Sequence, residues 1–221
     1  MKLLEQGIYM NHKKVLRIMK KYHLVTKIRR KRPYKAMIQK SQAARTFTNV
    51  LDRQFSQTVP FNVLCTDITY IPYNDRFAYL SVIRDIASGE VVAWNMTPHL
   101  EMKLVLDTVS FMKETHHAKQ LKDAMIHSDQ GFHYTNPLYI EMVQELDMVQ
   151  SMSGKGKCID NAPIESFFGH LKDEVDYSDC KTFTEVHEKI DEYMEYYNHE
   201  RRQWDLKKMT PVQYRNHLLA L

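Results

Sequence analysis

DAMIHSDQGFHYTNPLYIEMVQELDMVQSMSGKGKCIDNAPIESFFGHLK, residues 123–172, decides the architecture of this chain. Residues 124–127 form a short apolar run that breaks at Ser128-Asp129-Gln130-Gly131. Such a run reads as a buried strand, and Asp129 then projects from its carboxyl end, where α/β sheets expose their ligands. Further on, Ile164, Phe167, Phe168 and Leu171 recur at i, i+3, i+4 and i+7. That spacing predicts an amphipathic helix, with Asp160 or Asn161 as its cap and Pro163 in its first turn. Glu165 falls about 100° round from Ile164, at the edge of the buried stripe. Lys172 lies two helical turns beyond Glu165 and returns to nearly the same face, so a carboxylate and an ammonium line one groove.

Upstream of this stretch the texture is that of strands. Residues 62–71 (NVLCTDITYI), 77–86 (FAYLSVIRDI) and 91–97 (VVAWNMT) are rich in β-branched and aromatic residues, with turn residues Pro72, Asn74, Asp75, Ser88 and Gly89 between them. Helical spacing follows at Met102, Val105, Leu106, Val109 and Met112, then the strand before Asp129, a helix near 138–146, a short strand at 148–151 and the Glu165 helix. The order βββαβαβα predicts an α/β fold with a sheet of mixed direction and helices on its faces. Asp67 stands in the middle of the first strand, where a carboxylate must be paired, metal-bound or facing a cleft. Asp67, Asp129 and Glu165 can therefore meet at one site. Three hard oxygen donors suit Mg²⁺ or Mn²⁺, whose role in phosphoryl transfer is to stabilise the attacking and leaving oxygens from two positions. Lys155, Lys157 and Lys172 are the nearest cations, and residues 154–157 (GKGK) read either as a loop over the site or as an ordinary exposed turn. Asp85 reads as a hydrogen-bonded structural acid, with metal ligation as the alternative. His127 and His133 flank Asp129 as packed histidines or as groups that order DNA or water.

Charge is strongly polarised. Residues 1–45 hold 14 of the 31 Lys and Arg and a single acid, Glu5, a charge of +13; the other 176 residues hold 17 basic and 26 acidic groups, or −9. A basic arm on an acidic body is the footprint of a nucleic-acid binder whose acidic part holds metal. A solvated basic tail is the alternative. Asn11 can cap a helix over 12–22 that carries Lys13, Lys14 and Arg17 as groove-facing candidates, with Val15, Met19 and Tyr22 on its apolar side. Residues 1–6 read as the end of a preceding helix stopped by Gly7, which gives the outline of a helix-turn-helix with its first helix incomplete. Residues 28–45 show no apolar period and read as a basic linker able to track a phosphate backbone.

The bounds are simple. A chain of 221 residues that is 43% hydrophobic buries one good core and carries a small extra module. No run of about 18 apolar residues and no export signal is present, so the expected place is the cytoplasm and no membrane partner is expected. Cys65, Cys158 and Cys180 are odd in number and far apart, which argues against a disulfide framework or a zinc knuckle. Residues 183–199 open with Thr182 and Glu185 in a capping-box arrangement and read as a packing helix, followed by Arg201, Arg202, Lys207 and Lys208 as further candidates for DNA contact.

CTDITY, HSDQGFHY and DNAPIESFFGHLKDE resemble the three catalytic blocks of the DDE transposases of bacterial insertion sequences, whose catalytic core is similar to that of retroviral integrases. The resemblance covers residues 61–221, including YYNHERRQWDLKKMTPVQY at 196–214, and the basic N-terminal part is similar to what precedes this core in OrfB-type products of two-reading-frame elements. It implies a ribonuclease-H-like five-stranded mixed sheet, with Asp67, Asp129 and Glu165 as a triad holding two Mg²⁺ or Mn²⁺ ions and Lys172 as a DNA contact. It implies four segments: a partial helix-turn-helix at 1–24, a basic linker at 25–60, the catalytic core at 61–178 and a helical extension at 179–221. The implied partners are element-end and target DNA, further copies of the chain assembled on DNA, and the upstream-frame product, at the nucleoid. A truncated or inactive product that competes for ends without catalysis is the alternative, and a structure-selective nuclease on the same fold a third.

Overall fold

A computed structural model describes residues 7–25, 46–115 and 121–221. The helix read at residues 1–6 and the basic stretch 28–45 lie outside the described residues. Residues 1–40 and 41–221 are separate compact units. In the first, α1 (His12–Lys21) starts as its sequence predicts, with the Asn11 side chain accepting from the Lys14 amide at 2.9 Å. Gly7 has φ +73°, the left-handed conformation of a helix stop. Lys13, Lys14 and Arg17 are all exposed on α1.

The second unit is built on a five-stranded sheet in the order β3-β2-β1-β4-β5. The strands are β1 (Val63–Tyr73), β2 (Arg76–Asp85), β3 (Val91–Thr97), β4 (Met125–Ser128) and β5 (Val149–Met152). β1, β2 and β3 form an antiparallel meander, and β4 and β5 add in parallel. Asn74 and Asp75 both adopt positive φ (38° and 57°), which makes the two-residue β1–β2 turn of the kind whose twist suits a hairpin. β1 runs two residues further than its expected end, through Pro72. There β4 has already stopped, so on that side β1 is an edge where proline is tolerated.

The helices are α2 (Met102–Thr115), α3 (Phe132–Thr135), α4 (Pro137–Glu145), α5 (Ala162–Glu174), α6 (Phe183–His199) and α7 (Pro211–Leu219). Strand alternation divides the core between the two faces of the sheet. Val63, Cys65, Ile71 and Tyr73 of β1 pack with Ile164, Phe167, Phe168 and Leu171 of α5 and with Val186, Ile190, Tyr193 and Tyr197 of α6. Leu64 and Ile126 pack on the other face with α2 and α4. Leu51, ahead of the first strand, is buried in the α5 face.

The cap of α5 departs from the sequence reading. A 3₁₀ turn (Cys158–Asn161) precedes the helix, Pro163 sits in its first turn, and Asn161 at the cap position makes no capping bond. Asp160 is drawn elsewhere: it accepts from Arg53 Nε at 2.6 Å, Asn49 Nδ2 at 3.1 Å and the Gly154 amide at 3.0 Å. An ion pair with a residue 107 positions away outcompetes the local cap. Asn161 is 3% exposed and its amide group finds no partner.

Asp85 is structural, as its setting in β2 predicts. Its carboxylate accepts from the Phe61 amide (3.0 Å), the Ser88 amide (2.9 Å) and the Ser88 hydroxyl (2.5 Å), which closes the β2–β3 turn. Asp85→Ala strands these donors in a buried pocket. It is expected to cost about 2–4 kcal/mol, read from urea unfolding. A loss under about 1 kcal/mol would contradict that assignment.

Candidate active site

Asp67 and Asp129 are placed by strand register. β1 and β4 pair from Val63↔Met125 to Cys65↔His127 and then part. Each aspartate lies two residues beyond that last pair, so the two stand at matching levels on either side of the opening fork. β4 is only four residues long, and Asp129 follows its last residue, exposed at the carboxyl end of the sheet. Asp129 Oδ1 accepts from the Gly131 amide at 2.8 Å, a tight turn that fixes the side chain. A Cβ on Gly131 would meet that same oxygen at 2.8 Å, so a larger residue there would push the Asp129 carboxylate aside. Asp67 Oδ1 accepts from the Ile68 amide at 2.8 Å.

One buried hydroxyl senses both aspartates. Tyr134 of α3 is buried beneath the fork, its oxygen 3.5 Å from Thr66 Oγ1. Burial pushes the phenol pKa well above its usual value, and the charges of Asp67 and then, more weakly, Asp129 push it the same way. Tyr134 thus stays protonated behind the two carboxylates.

Glu165 is brought alongside by α5. Lys172 Nζ donates to Thr69 Oγ1, two residues past Asp67 on the same side of β1. At the other end of the helix the Pro163 carbonyl accepts from Arg84, whose register partner on β1 is Cys65. From Pro163 to Lys172 the helix rises about 13 Å, and from Cys65 to Thr69 the strand also advances about 13 Å. α5 therefore runs alongside β1 in the same direction, and Glu165, in its first turn and half-buried, is bracketed against the stretch that carries Asp67. Asp67, Glu165 and Lys172 each have an interaction partner.

The donor set is one of oxygens. Cys65 beneath the site is a buried thiol, pushed up to about 12 by burial, and donates to the Arg84 carbonyl. His127 is fully buried, with its two ring nitrogens against Ser151 Oγ (2.9 Å) and Ser153 Oγ (3.2 Å). His133 is held below its usual pKa by burial, opposed by the Asp129 charge. The carboxylates that remain suit a hard divalent cation. Among the described residues no three His, Cys, Asp or Glu side chains converge closely enough to hold a metal, so the fit rests on donor chemistry and on placement in the fold.

The other candidates separate cleanly. Lys155 and Lys157 are exposed on a turn closed by the Lys157 amide on the Gly154 carbonyl (2.9 Å), with Gly156 at φ +74°. The adjoining Gly154 amide is tied to buried Asp160, so this is an anchored turn presenting two lysines. Arg201 is committed to a two-pronged pair with Glu174 at the end of α5 (2.6 to 3.0 Å). Lys207 and Lys208 are exposed. Sequence reading missed Tyr134, Thr69 and Arg84. A polar or charged residue within an apolar strand was the available signal for Arg84.

Known proteins resemble this chain in both sequence and fold. Residues 57–158 match one family model described as an integrase core domain, and residues 165–219 match a second with the same description. The chain is 36% identical over 216 residues to a protein assigned as transposase InsK of insertion sequence IS150 in Escherichia coli, covering 96% of this chain and 73% of that one. It is 36% identical over 219 residues to an uncharacterized transposase-like protein of Haemophilus influenzae, covering 98% of each. It is 33% identical over 207 residues to the transposase of IS904 in Lactococcus lactis, covering 93% of this chain and 80% of that one. Among solved structures, a chain of a simian T-cell lymphotropic virus intasome superposes with a TM-score of 0.60 at 14% identity, over 78% of this chain and 57% of that one. The HTLV-2 integrase catalytic core domain in complex with magnesium gives 0.52 at 15% identity, over 71% and 97%. These two likenesses establish the ribonuclease-H-like fold. The chain belongs to the DDE transposases of bacterial insertion sequences, polynucleotidyl transferases with an integrase core that move their element by integrase-type catalysis.

Proposed function

We propose that this chain cuts DNA at the ends of its insertion sequence and joins the freed ends to target DNA, with Asp67, Asp129 and Glu165 as the catalytic carboxylates. The observation that supports this is the register of β1 and β4, which carries Asp67 and Asp129 to matching levels past their last pair, together with the Lys172–Thr69 bond that lays α5, with Glu165 in its first turn, alongside β1. Asp67, Asp129 and Glu165 would hold two Mg²⁺ or Mn²⁺ ions. When bound, such ions stabilise the attacking and leaving oxygens of an in-line phosphoryl transfer. The protein positions: the Gly131 amide orients Asp129, protonated Tyr134 backs both aspartates, and α5 aligns Glu165 with β1. Hydrolysis frees a 3′-hydroxyl, and that hydroxyl then attacks a target phosphodiester, forming a new P–O bond as the target strand's own 3′-oxygen leaves, so no covalent protein intermediate is required. The similarity to a magnesium-bound integrase core supports the choice of ion, and the likeness to an intasome chain supports action by several copies on DNA.

Lys172 is proposed to hold a DNA phosphate beside the carboxylates, with Lys155 and Lys157 on their turn and Lys13, Lys14 and Arg17 on α1 as further phosphate contacts. The upstream-frame product is proposed as a partner that adds recognition of the ends. The test is incubation of the purified chain with end duplexes: Mg²⁺-dependent nicking and joining, abolished by chelation, is expected. Nicking that survives chelation would contradict the proposal. Lys172→Ala is expected to weaken end binding and cleavage together, and to lower the slope of log K against log salt by about one. An unchanged slope would remove Lys172 from the interface.

A further inference from the structure

Arg84 is a cation on β2 whose hydrogen bonds run to neutral oxygens. Its Nε donates to the Gly89 carbonyl at 3.1 Å and lies 3.4 Å from the Tyr197 hydroxyl, and its Nη1 donates to the Pro163 carbonyl at 3.4 Å. Tyr197 Oη itself donates to the Gly89 carbonyl at 3.2 Å. One guanidinium thereby joins β2, the β2–β3 turn, α6 and the first turn of α5. A half-buried charge held by neutral acceptors is costly, and it persists where the geometry it enforces matters.

Two further features are shaped around this side chain. The β2–β3 register shifts between Ile83 and Arg84, so that Ile83 faces Ala93 while Arg84 faces Val91. Such a bulge re-aims a side chain. At Gly89, φ is +76° and an added Cβ would come within 2.8 Å of Arg84 Nη2, so the turn accepts the guanidinium only as glycine. The distances in sequence are equally pointed. Arg84 pairs with Cys65, two residues before Asp67, and bonds to Pro163, two residues before Glu165.

We propose that Arg84 is a positioning residue that sets the spacing between the strand carrying Asp67 and the helix carrying Glu165, and so the affinity of the carboxylate site for its divalent ion. This rests on the triad reading above. Lys172 on Thr69 ties α5 to β1 beyond the site, and Arg84 ties it before the site. Arg201 on Glu174 holds only the far end of α5, away from Glu165.

The experiment compares Arg84→Met, Arg84→Lys, Arg201→Gln and Glu165→Gln with the parent chain. Two quantities are read: the Mg²⁺ concentration that half-saturates nicking of end DNA, and the stabilisation against heat that Mn²⁺ gives the chain. Arg84→Met is expected to raise the half-saturating concentration about tenfold and to shrink the Mn²⁺ stabilisation, with duplex affinity unchanged. Arg84→Lys, which keeps the charge but loses the fork, is expected to fall between Arg84→Met and the parent. Arg201→Gln is expected to lower the melting temperature without moving the Mg²⁺ requirement. If Arg84→Met does not fold, Arg84→Lys carries the test. An unmoved Mg²⁺ requirement in whichever folded Arg84 variant is measured overturns the proposal. Near-normal nicking by Glu165→Gln would instead overturn the triad reading.

Discussion

Replacing Asp67 or Asp129 by Asn, or Glu165 by Gln, is expected to reduce metal-dependent nicking of end DNA by about a thousandfold or more, with the fold intact. The amide variants keep size and shape. The carboxamide oxygen introduced by Asp129→Asn can still accept from the Gly131 amide, and the one introduced by Asp67→Asn from the Ile68 amide, so the local turns survive. What is lost is negative charge at the point where a divalent cation must be held. Removing a single donor that stabilises developing charge already costs about a hundredfold to a thousandfold in other enzymes, and displacing an ion removes more. Nicking assays in Mg²⁺ and Mn²⁺, with thermal melting as the check on folding, read the effect. A variant that cuts at near-normal rate takes its residue out of the site.

The second large effect is in acid. His127 ties β4 to Ser151 of β5 and to Ser153 just beyond it, two residues before Asp129, and burial pushes its pKa down to about 4 against the opposing charge of Asp160. In the unfolded chain the ring protonates near 6.5, so as pH falls the unfolded state takes up the proton first. The stability that neutral His127 contributes is therefore complete above pH 6.5 and lost progressively from 6.5 down to about 4. Over that window the loss comes to about 3 kcal/mol. Urea unfolding at pH 7, 5.5 and 4 measures it. His127→Gln, which cannot titrate, should show a shallower decline, and an equally steep decline in both chains would contradict the assignment. Because this anchor holds the strand that presents Asp129, activity should fall across the same window.

Legibility in the sequence followed the range of the interactions. The strand at Val91–Thr97 and the helix at Phe183–His199 match their expected bounds, since alternation and a capping box are local signals. Asp129 at the end of a short buried strand was equally local. At the α5 cap the position, Asn161, was legible but the absent capping bond was not, and Asp160 answers instead to Arg53, 107 residues earlier, a partner that no neighbouring residue reports. Arg84 was overlooked for the same reason, with Pro163 79 positions away and Tyr197 113 away. Tyr134 reads as a core aromatic, and only the folded chain brings its hydroxyl to Thr66, the neighbour of Asp67.

The proposed cation site draws its three carboxylates from three elements, β1, β4 and α5. The direct measurement is Mn²⁺ binding to the chain in complex with end DNA, titrated for the parent and for Asp67→Asn, Asp129→Asn and Glu165→Gln. Expected is saturable binding in the parent that weakens at least tenfold in every one of the three variants. Undiminished Mn²⁺ affinity in any of them would contradict a shared site.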